Sequence, residues 1–139
     1  LRDIGIESFL MADSLLAIMA QRLIRVLCPH CKTEYTAREG DRKRIGEILP
    51  DLPSSLTLYQ NKGCDRCGYT GYKGRQGIFE FLPINEAIKS AIVAGKESGS
   101  IARTAFELGY RPLAHHGFRK VVEGITTLSE VLRVTSLAV

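Results

Sequence analysis

The sequence predicts an α+β fold organised around one tetracysteine site. Its four cysteines form two C-x2-C pairs, Cys28/Cys31 and Cys64/Cys67, and they are the only cysteines in the 139 residues. Short stretches of alternating apolar residues flank both pairs, whereas the residues after Leu82 have the apolar spacing of several helices. A chain of this length can bury one modest core, or two small ones with a metal as staple, so we expect a small metal-stabilised domain followed by helices.

The spacing of the cysteines is typical of a structural zinc site. Each tight turn directs two thiolates at one point, and four sulfurs complete the tetrahedral shell of a zinc ion. Such a shell leaves no position for water or substrate. We therefore expect Cys28, Cys31, Cys64 and Cys67 to hold one structural zinc. Two disulfides, two separate redox C-x-x-C motifs and a rubredoxin-type iron centre are alternatives for the same residues.

The composition is that of a globular protein, with 45% hydrophobic and 24% charged residues. The apolar segment 9–27 is interrupted by Asp13, Gln21, Arg22 and Arg25, so no run reaches the roughly 18 residues that span a bilayer. The formal net charge of +4 falls to about +2 when four thiolates bind a divalent ion. That excess does not by itself indicate nucleic-acid binding. Reduced cysteine pairs are typical of the cytosol.

Two elements are predicted before the first cysteine pair. Apolar residues from 6 to 19 recur at helical spacing, although Asp13-Ser14 could interrupt or recap that helix. From 21 to 27 apolar residues alternate with polar positions, where Arg22 and Arg25 are expected to face water. This second pattern predicts a short strand that leads into the first pair.

A polar helix and a strand are predicted between the pairs. Thr36 can cap a helix that runs through Leu49, and two prolines, Pro50 and Pro53, end it. The alternating segment 56–59 then predicts a strand entering the second pair. We interpret the basic residues of this helix as a solvated face: Arg38, Arg42, Lys43 and Arg44.

A glycine stands at every third position from 68 to 77. The segment lacks the P-loop pattern, and it leads into a predicted strand, 78–82, rather than into the helix of a dinucleotide-binding fingerprint. We interpret its glycines as turns with positive φ beside the second cysteine pair. An alternative function, a nucleic-acid-binding zinc ribbon, follows from the aromatic and basic residues of this loop, Tyr69, Tyr72, Lys73 and Arg75.

The remaining residues predict four helices with recognisable starts and stops. They are 85–94 capped by Asn85, 100–108 capped by Ser100, 112–123 begun by Pro112, and 128–134 preceded by the capping box Thr127 to Glu130. His115 and His116 are adjacent in the third helix, so their side chains diverge. We interpret them as surface or partner-facing residues rather than metal ligands.

Several of these motifs together resemble one family, the assembly ATPases of bacterial type II secretion and type IV pilus extension. The matching region is the one that follows the nucleotide-binding core in that family, and the likeness covers nearly the whole chain. The residues that carry it are 20–31 (AQRLIRVLCPHC), Gly63-Cys64, Cys67, 71–75 (GYKGR), 77–80 (GIFE), Gly117-Phe118 and 124–128 (GITTL).

The resemblance implies the end of a RecA-like α/β domain, an inserted tetracysteine zinc subdomain and a small helical bundle. It implies domain boundaries at 1–27, 28–74 and 75–139, with strands 21–27 and 75–82 paired at the base of the insertion. It also implies a cytoplasmic homohexameric ATPase, peripheral to the inner membrane, whose partners are platform and linker proteins of the machine. Such an ATPase uses ATP and magnesium to assemble a pilin-like filament.

The sequence departs from an ATPase because it contains no P-loop lysine, Walker B acidic residue or catalytic glutamate. These groups would lie upstream of Leu1 in a full-length relative. We therefore expect a non-catalytic C-terminal fragment whose only own cofactor is zinc, and whose role is docking and force transmission. His115-His116 also departs from the acidic residue that relatives often carry there. A redox or zinc sensor with labile thiolates is a further hypothesis.

Overall fold

The computed structural model describes residues 4–135 as a mixture of short helices and two small sheets. In chain order the elements are α1 (Ser8–Ser14), β1 (Ala17–Leu27), β2 (Thr33–Thr36), α2 (Glu39–Gly46), β3 (Thr57–Gln60), a 3-10 turn (Asp65–Cys67), β4 (Tyr72–Pro83), α3 (Glu86–Val93), α4 (Ser98–Glu107), α5 (Leu113–Val122) and α6 (Leu128–Thr135). The α+β class is thereby confirmed.

The described residues form two compact units. Unit 1 contains residues up to 20 and residues 80–112, and unit 2 contains residues 21–79 and those from 113 onward. Strands β1 and β4 pair in one two-stranded sheet, which confirms the predicted pairing of the segments before and after the cysteines. The domain boundaries at residues 27 and 74 remain a prediction for the longer protein.

Unit 1 is built by helices that pack around a small apolar cluster. Helix α3 packs against both α1 and α4, and the buried cluster comprises Ile84, Ile88 and Ala105. The start of α3 is fixed by Asn85, whose Oδ1 accepts a hydrogen bond from the N–H of Ile88 at 3.1 Å. This contact satisfies one of the free amides at the helix start and confirms the predicted cap.

Unit 2 combines the second sheet with the last two helices. Strands β2 and β3 pair antiparallel, with Thr33 opposite Gln60 and Thr36 opposite Thr57. Helix α5 packs against α6 and β3. Their apolar faces join residues of β1, α2 and β4 in a single core, whose buried members are Ile24, Ala37, Ile45, Leu56, Leu58, Ile78, Phe118, Val121, Leu128 and Val131.

The predicted helix over 6–19 is wrong in its second half. Helix α1 ends at Ser14, and Ala17 already begins β1. Asp13-Ser14 marks the change, as the sequence allowed. Residues 17–20 extend because β4 runs to Pro83 and offers a partner for a strand longer than the predicted one. Pairing between strands overrides local helical spacing here.

Two other predictions need correction. Thr36 belongs to strand β2 rather than capping a helix, and α2 is shorter than predicted, with Arg38 at its N-cap. Helix α4 begins at Ser98 with Glu97 at its N-cap, so Ser100 lies inside the helix. In both cases the tertiary structure overrides the cap that the side chain suggested: Thr36 pairs with Thr57 in the sheet, and Ser100 lies within the first turn of α4.

The remaining helices follow the prediction closely. Helix α5 starts at Leu113, one residue after Pro112, and α6 starts directly after Thr127. The hydroxyl of Thr127 accepts the N–H of Glu130 at 3.2 Å, as a capping box requires. The carboxylate of Glu130, however, accepts hydrogen bonds from Arg25 and Arg133. None of the helices within residues 4–135 is both long and apolar enough to cross a membrane.

Candidate metal centre

The four cysteines meet at one point in unit 2. Their Sγ atoms all lie within 4.8 Å of one another. The separations are 3.9 Å for Cys28–Cys64, 3.9 Å for Cys31–Cys67 and 3.8 Å for Cys64–Cys67. A tetrahedron with metal–sulfur bonds of about 2.3 Å places its sulfurs about 3.8 Å apart. The cysteines are free, and their spacing is that of a four-sulfur metal shell.

The first pair is held in a tight turn at the end of β1. The carbonyl of Cys28 accepts the N–H of Cys31 at 3.3 Å and that of Lys32 at 3.0 Å. The N–H of Cys28 donates to the carbonyl of Gly71 at 2.9 Å, which fixes the first turn against the second. Cys28 is completely buried, so one side of the site faces the core of unit 2.

The second pair is shaped by the 3-10 turn. The carbonyl of Cys64 accepts the N–H of Cys67 at 3.1 Å. The sulfur of Cys67 accepts two amides, from Cys64 at 3.3 Å and from Gly71 at 3.2 Å. Amides directed at sulfur stabilise the thiolate form, which is the form that binds metal.

Gly71 forms hydrogen bonds to both cysteine turns, and its position accommodates only glycine. Its φ of 76° lies in the left-handed region, and an added Cβ would lie 2.5 Å from the Cβ of Asn61. The prediction of positive-φ turns in this segment is confirmed at Gly71. The predicted loop is shorter than expected, however, because β4 already begins at Tyr72.

As free thiols the cysteines differ in acidity. Partial desolvation raises the pKa of Cys31 to about 11. Desolvation acts in the same direction on Cys67, but hydrogen bonds from the amides of Cys64 and Gly71 outweigh it and lower the pKa of Cys67 to about 6. Amide hydrogen bonds to this sulfur therefore favour the thiolate, which is the form that binds a thiophilic cation.

Side chains around the centre form contacts that the sequence did not reveal. Arg25, predicted to face water, donates to Glu130 through Nε at 3.1 Å and Nη2 at 2.7 Å. Arg133 donates to the same carboxylate at 2.7 Å. Burial raises the pKa of Glu130, but the hydrogen bonds from both arginines outweigh burial and lower it to about 2. In the sequence, Glu130 was marked only as the acidic residue of the capping box, and nothing there indicated its pairing with the two arginines.

The loop proposed for nucleic-acid binding is used internally. The guanidinium of Arg25 lies 4.2 Å from the ring centre of Tyr72, and the Tyr72 hydroxyl lies 2.8 Å from the hydroxyl of Thr127. Tyr69 is exposed, and its hydroxyl donates to Asp65. A base could not stack on the face of Tyr72 that Arg25 covers, which weakens this alternative.

The two remaining motifs also have internal roles. His116, which is half-buried, accepts the N–H of Phe79 through Nδ1 at 3.2 Å. Arg42, one residue of the basic face of α2, donates to the carbonyls of Pro53 and Ser54 and ties the helix to the following loop.

Comparison with known proteins gives consistent matches along the chain. Residues 1–133 match the family described as "Type II/IV secretion system protein". The chain is 42% identical to "Type II secretion system protein E" of Dickeya dadantii over 97% of its own length and 26% of that relative. It is 40% identical to "Type IV pilus assembly ATPase PilB" of Thermus thermophilus, over 97% of the chain and 15% of the relative.

A third relative is "Type IV pilus assembly ATPase TfpB" of Acinetobacter baylyi, which is 39% identical over 99% of the chain and 23% of its own length. The chain thus spans about a quarter or less of the curated relatives it matches. These matches do not favour a nucleic-acid-binding ribbon. With a family match over residues 1–133 and a cysteine cluster in the matched region, the chain belongs to the type II/IV secretion system protein family.

Proposed function

We propose that Cys28, Cys31, Cys64 and Cys67 bind one structural zinc ion in the C-terminal region of an ATPase that powers type II secretion or type IV pilus assembly. The observation that carries the metal site is the convergence of the four sulfurs, which lie at the spacing of a tetrahedral shell. Four thiolates can also bind iron, so the first test below must identify the metal as well as count it.

The family membership supports the wider context. In the longer protein these residues would form the end of a RecA-like domain, with the zinc subdomain inserted between β1 and β4 and the helices following. The paired strands β1 and β4 on either side of the cysteines agree with an insertion of this kind. We propose the segment boundaries 1–27, 28–74 and 75–139 for that context.

The role that we propose for this region is non-catalytic. The residues contain no G-x-x-x-x-G-K-[ST] phosphate loop, and the cysteine shell offers no open position for a reacting group. ATP and magnesium would bind elsewhere in the homohexameric parent. The zinc subdomain would dock on platform or linker proteins at the cytoplasmic side of the inner membrane and transmit force to them.

The first test is native mass spectrometry of the chain beside a denatured sample, with elemental analysis of the same preparation. One zinc per chain, lost on denaturation, is the expected result. Iron in stoichiometric amount would replace zinc in the proposal. A metal-free chain lighter by the mass of four hydrogens would show two disulfides and overturn the metal site.

The second test addresses docking. The chain and a Cys64→Ser variant are immobilised, and the purified cytoplasmic domains of the platform and linker proteins are passed over each. We expect binding to the zinc-loaded chain and at least tenfold weaker binding to the variant. Equal binding to both, or none to either the chain or its full-length parent, would contradict the docking role.

A further inference from the structure

The backbone that carries the cysteines is clamped by the turn between α5 and α6. The N–H of Leu27, one residue before the first cysteine, donates to the carbonyl of Ile125 at 2.8 Å. On the same strand, the carbonyl of Arg25 accepts the hydroxyl of Thr126 at 2.7 Å. Both turn residues belong to a segment of four, 124–127, which we call the clamp turn. The end of β1 therefore keeps its position through contacts with residues far away in sequence.

Lys32 makes a third contact with the clamp turn. This residue directly follows Cys31, and its Nζ donates to the carbonyl of Gly124 at 2.9 Å. The same ammonium lies 4.5 Å from the ring centre of Tyr59, and a Cβ on Gly124 would lie 2.6 Å from that ring. The lysine, the ring and the glycine thus form one packed contact, in which a cation–π interaction and a charge-assisted hydrogen bond act on the same group.

Tyr72 attaches the second cysteine pair to the clamp turn. It follows Gly71, the residue whose amide donates to Cys67 and whose carbonyl accepts from Cys28. The Tyr72 hydroxyl lies 2.8 Å from the Thr127 hydroxyl, and Thr127 in turn caps α6. The hydroxyl group of one tyrosine therefore links the metal-binding backbone to the start of the last helix.

The buried carboxylate of Glu130 adds a further link between α6 and β1. It accepts the backbone N–H of Arg25 at 3.0 Å as well as that residue's guanidinium. The side chain of Glu130 is fully buried, so its charge depends on these partners. Every contact between α6 and β1 in this group acts within a few residues of Cys28.

We propose that Lys32 and Tyr72 are positioning residues for the metal centre, holding both cysteine turns against the clamp turn so that metal retention and the docking of α6 stabilise each other. This inference rests on the metal site proposed above. Neither side chain forms a hydrogen bond to a sulfur, so both act through the backbone that presents the ligands. Outer contacts of this kind orient metal ligands and contribute to metal affinity.

The coupling is reciprocal by thermodynamic necessity. If docked α6 makes the site bind metal more tightly, bound metal makes α6 dock more tightly by the same free energy. Replacing a residue that only stabilises the fold would lower the stability of the chain with or without metal. It would not change the effect of metal on α6. The reciprocal effect therefore separates a positioning role from a structural one.

The test compares Lys32→Met and Tyr72→Phe with the intact chain, each loaded with zinc. Release of zinc to an excess of a chromophoric chelator gives the rate. We expect release about three to ten times faster in each variant, at or below the low end of the roughly 10–100-fold outer-contact effects, because the contacts reach the backbone rather than the sulfurs. Lys32→Arg should restore slow release. Lys73→Met, at an exposed lysine next to Tyr72, is the matched control and should release zinc at the original rate.

Cobalt loading and hydrogen exchange complete the test. The absorption bands of the cobalt-loaded variants should match those of the intact chain, because all four sulfur ligands remain. Removal of the metal should accelerate amide exchange in residues 124–132 of the intact chain, and much less so in Lys32→Met. Release and exchange unchanged by Lys32→Met and Tyr72→Phe would overturn the inference. An intact chain that retains no metal would instead overturn the metal site itself.

Discussion

At the residue scale, Gly71 is the most constrained position of the metal centre. Replacement by alanine would force a side chain into the left-handed region and against Asn61, where the added Cβ meets a Cβ at 2.5 Å. The backbone must shift, and with it the amide on Cys67 and the carbonyl on Cys28. We expect Gly71→Ala to lose most of its zinc under dialysis, as measured by elemental analysis.

Gly74→Ala is the matched control for Gly71→Ala. Gly74 has a φ of 87°, and no atom lies within 4 Å of its added Cβ. It shares the backbone penalty, about 1 kcal/mol for a left-handed residue, but not the steric clash. We expect Gly74→Ala to lower the melting temperature by a few degrees and to keep a full equivalent of zinc. Equal zinc contents in the two variants would contradict the structural account of Gly71.

The ligand set of the candidate site was predictable because it depends on local spacing. Two C-x2-C pairs place their sulfurs through turns of four residues, whatever the surrounding fold. The supporting side chains were not predictable. Arg25, Lys32 and Tyr72 find their partners 105, 92 and 55 positions later in the chain. No local pattern marks such distant pairs. Arg25 is exposed, as predicted, yet its guanidinium also pairs with Glu130.

At the scale of elements, α6 is attached to β1 by a buried charge. We expect Glu130→Gln to lower the free energy of unfolding by about 2 kcal/mol, because it removes charge-assisted hydrogen bonds from Arg25 and Arg133, whose guanidinium groups stay about half exposed to water. For a chain of this size the melting temperature should fall by roughly 7 °C. Thermal unfolding followed by circular dichroism measures the change in the zinc-loaded protein.

Glu123→Gln provides the control for that substitution. Glu123, an exposed residue just after α5, pairs with Lys120 at 3.1 Å, and pairs near the surface contribute below about 1 kcal/mol.

The lowered pKa of Glu130, about 2, also determines how the stabilisation by this residue depends on pH. A carboxylate with a depressed pKa stabilises above its unfolded value near 4.5 and loses this effect only as the pH falls toward 2. The difference between the intact chain and Glu130→Gln should stay constant from pH 8 to pH 5, and a steady decline over that range would contradict the assignment.

Element boundaries were predictable where side chains alone determine them. Asn85 caps α3 and Thr127 caps α6 because each hydroxyl or amide oxygen meets an amide three residues later. Strand β2 was missed because Thr33 to Thr36 needs Gln60 to Thr57 as its partner. Residues 17–19 were assigned to a helix because their extended form depends on pairing with β4. Contacts with distant segments account for both errors.

At the scale of the whole chain, the two units differ in what stabilises them. Unit 2 contains all four cysteines as well as the larger apolar core. Unit 1 has a smaller buried cluster, Ile84, Ile88 and Ala105, together with the capped helix α3. The sequence predicted the helices of both units individually. It could not predict the grouping, because α3 and α4 stand between β4 and α5 in sequence while α5 and α6 pack in the other unit.

Metal removal should therefore affect the two units unequally. Binding energy at a four-thiolate site is also folding energy for the unit that contains the site, and all four ligands lie in unit 2. After chelation, we expect amide exchange to accelerate at least tenfold in peptides covering 28–71, whereas peptides within 86–107 should change less than twofold. Hydrogen–deuterium exchange with mass spectrometry measures both in one sample, and re-added zinc should reverse the change. Equal acceleration in both sets of peptides would mean that the apolar cluster of unit 1 does not hold its helices without the metal.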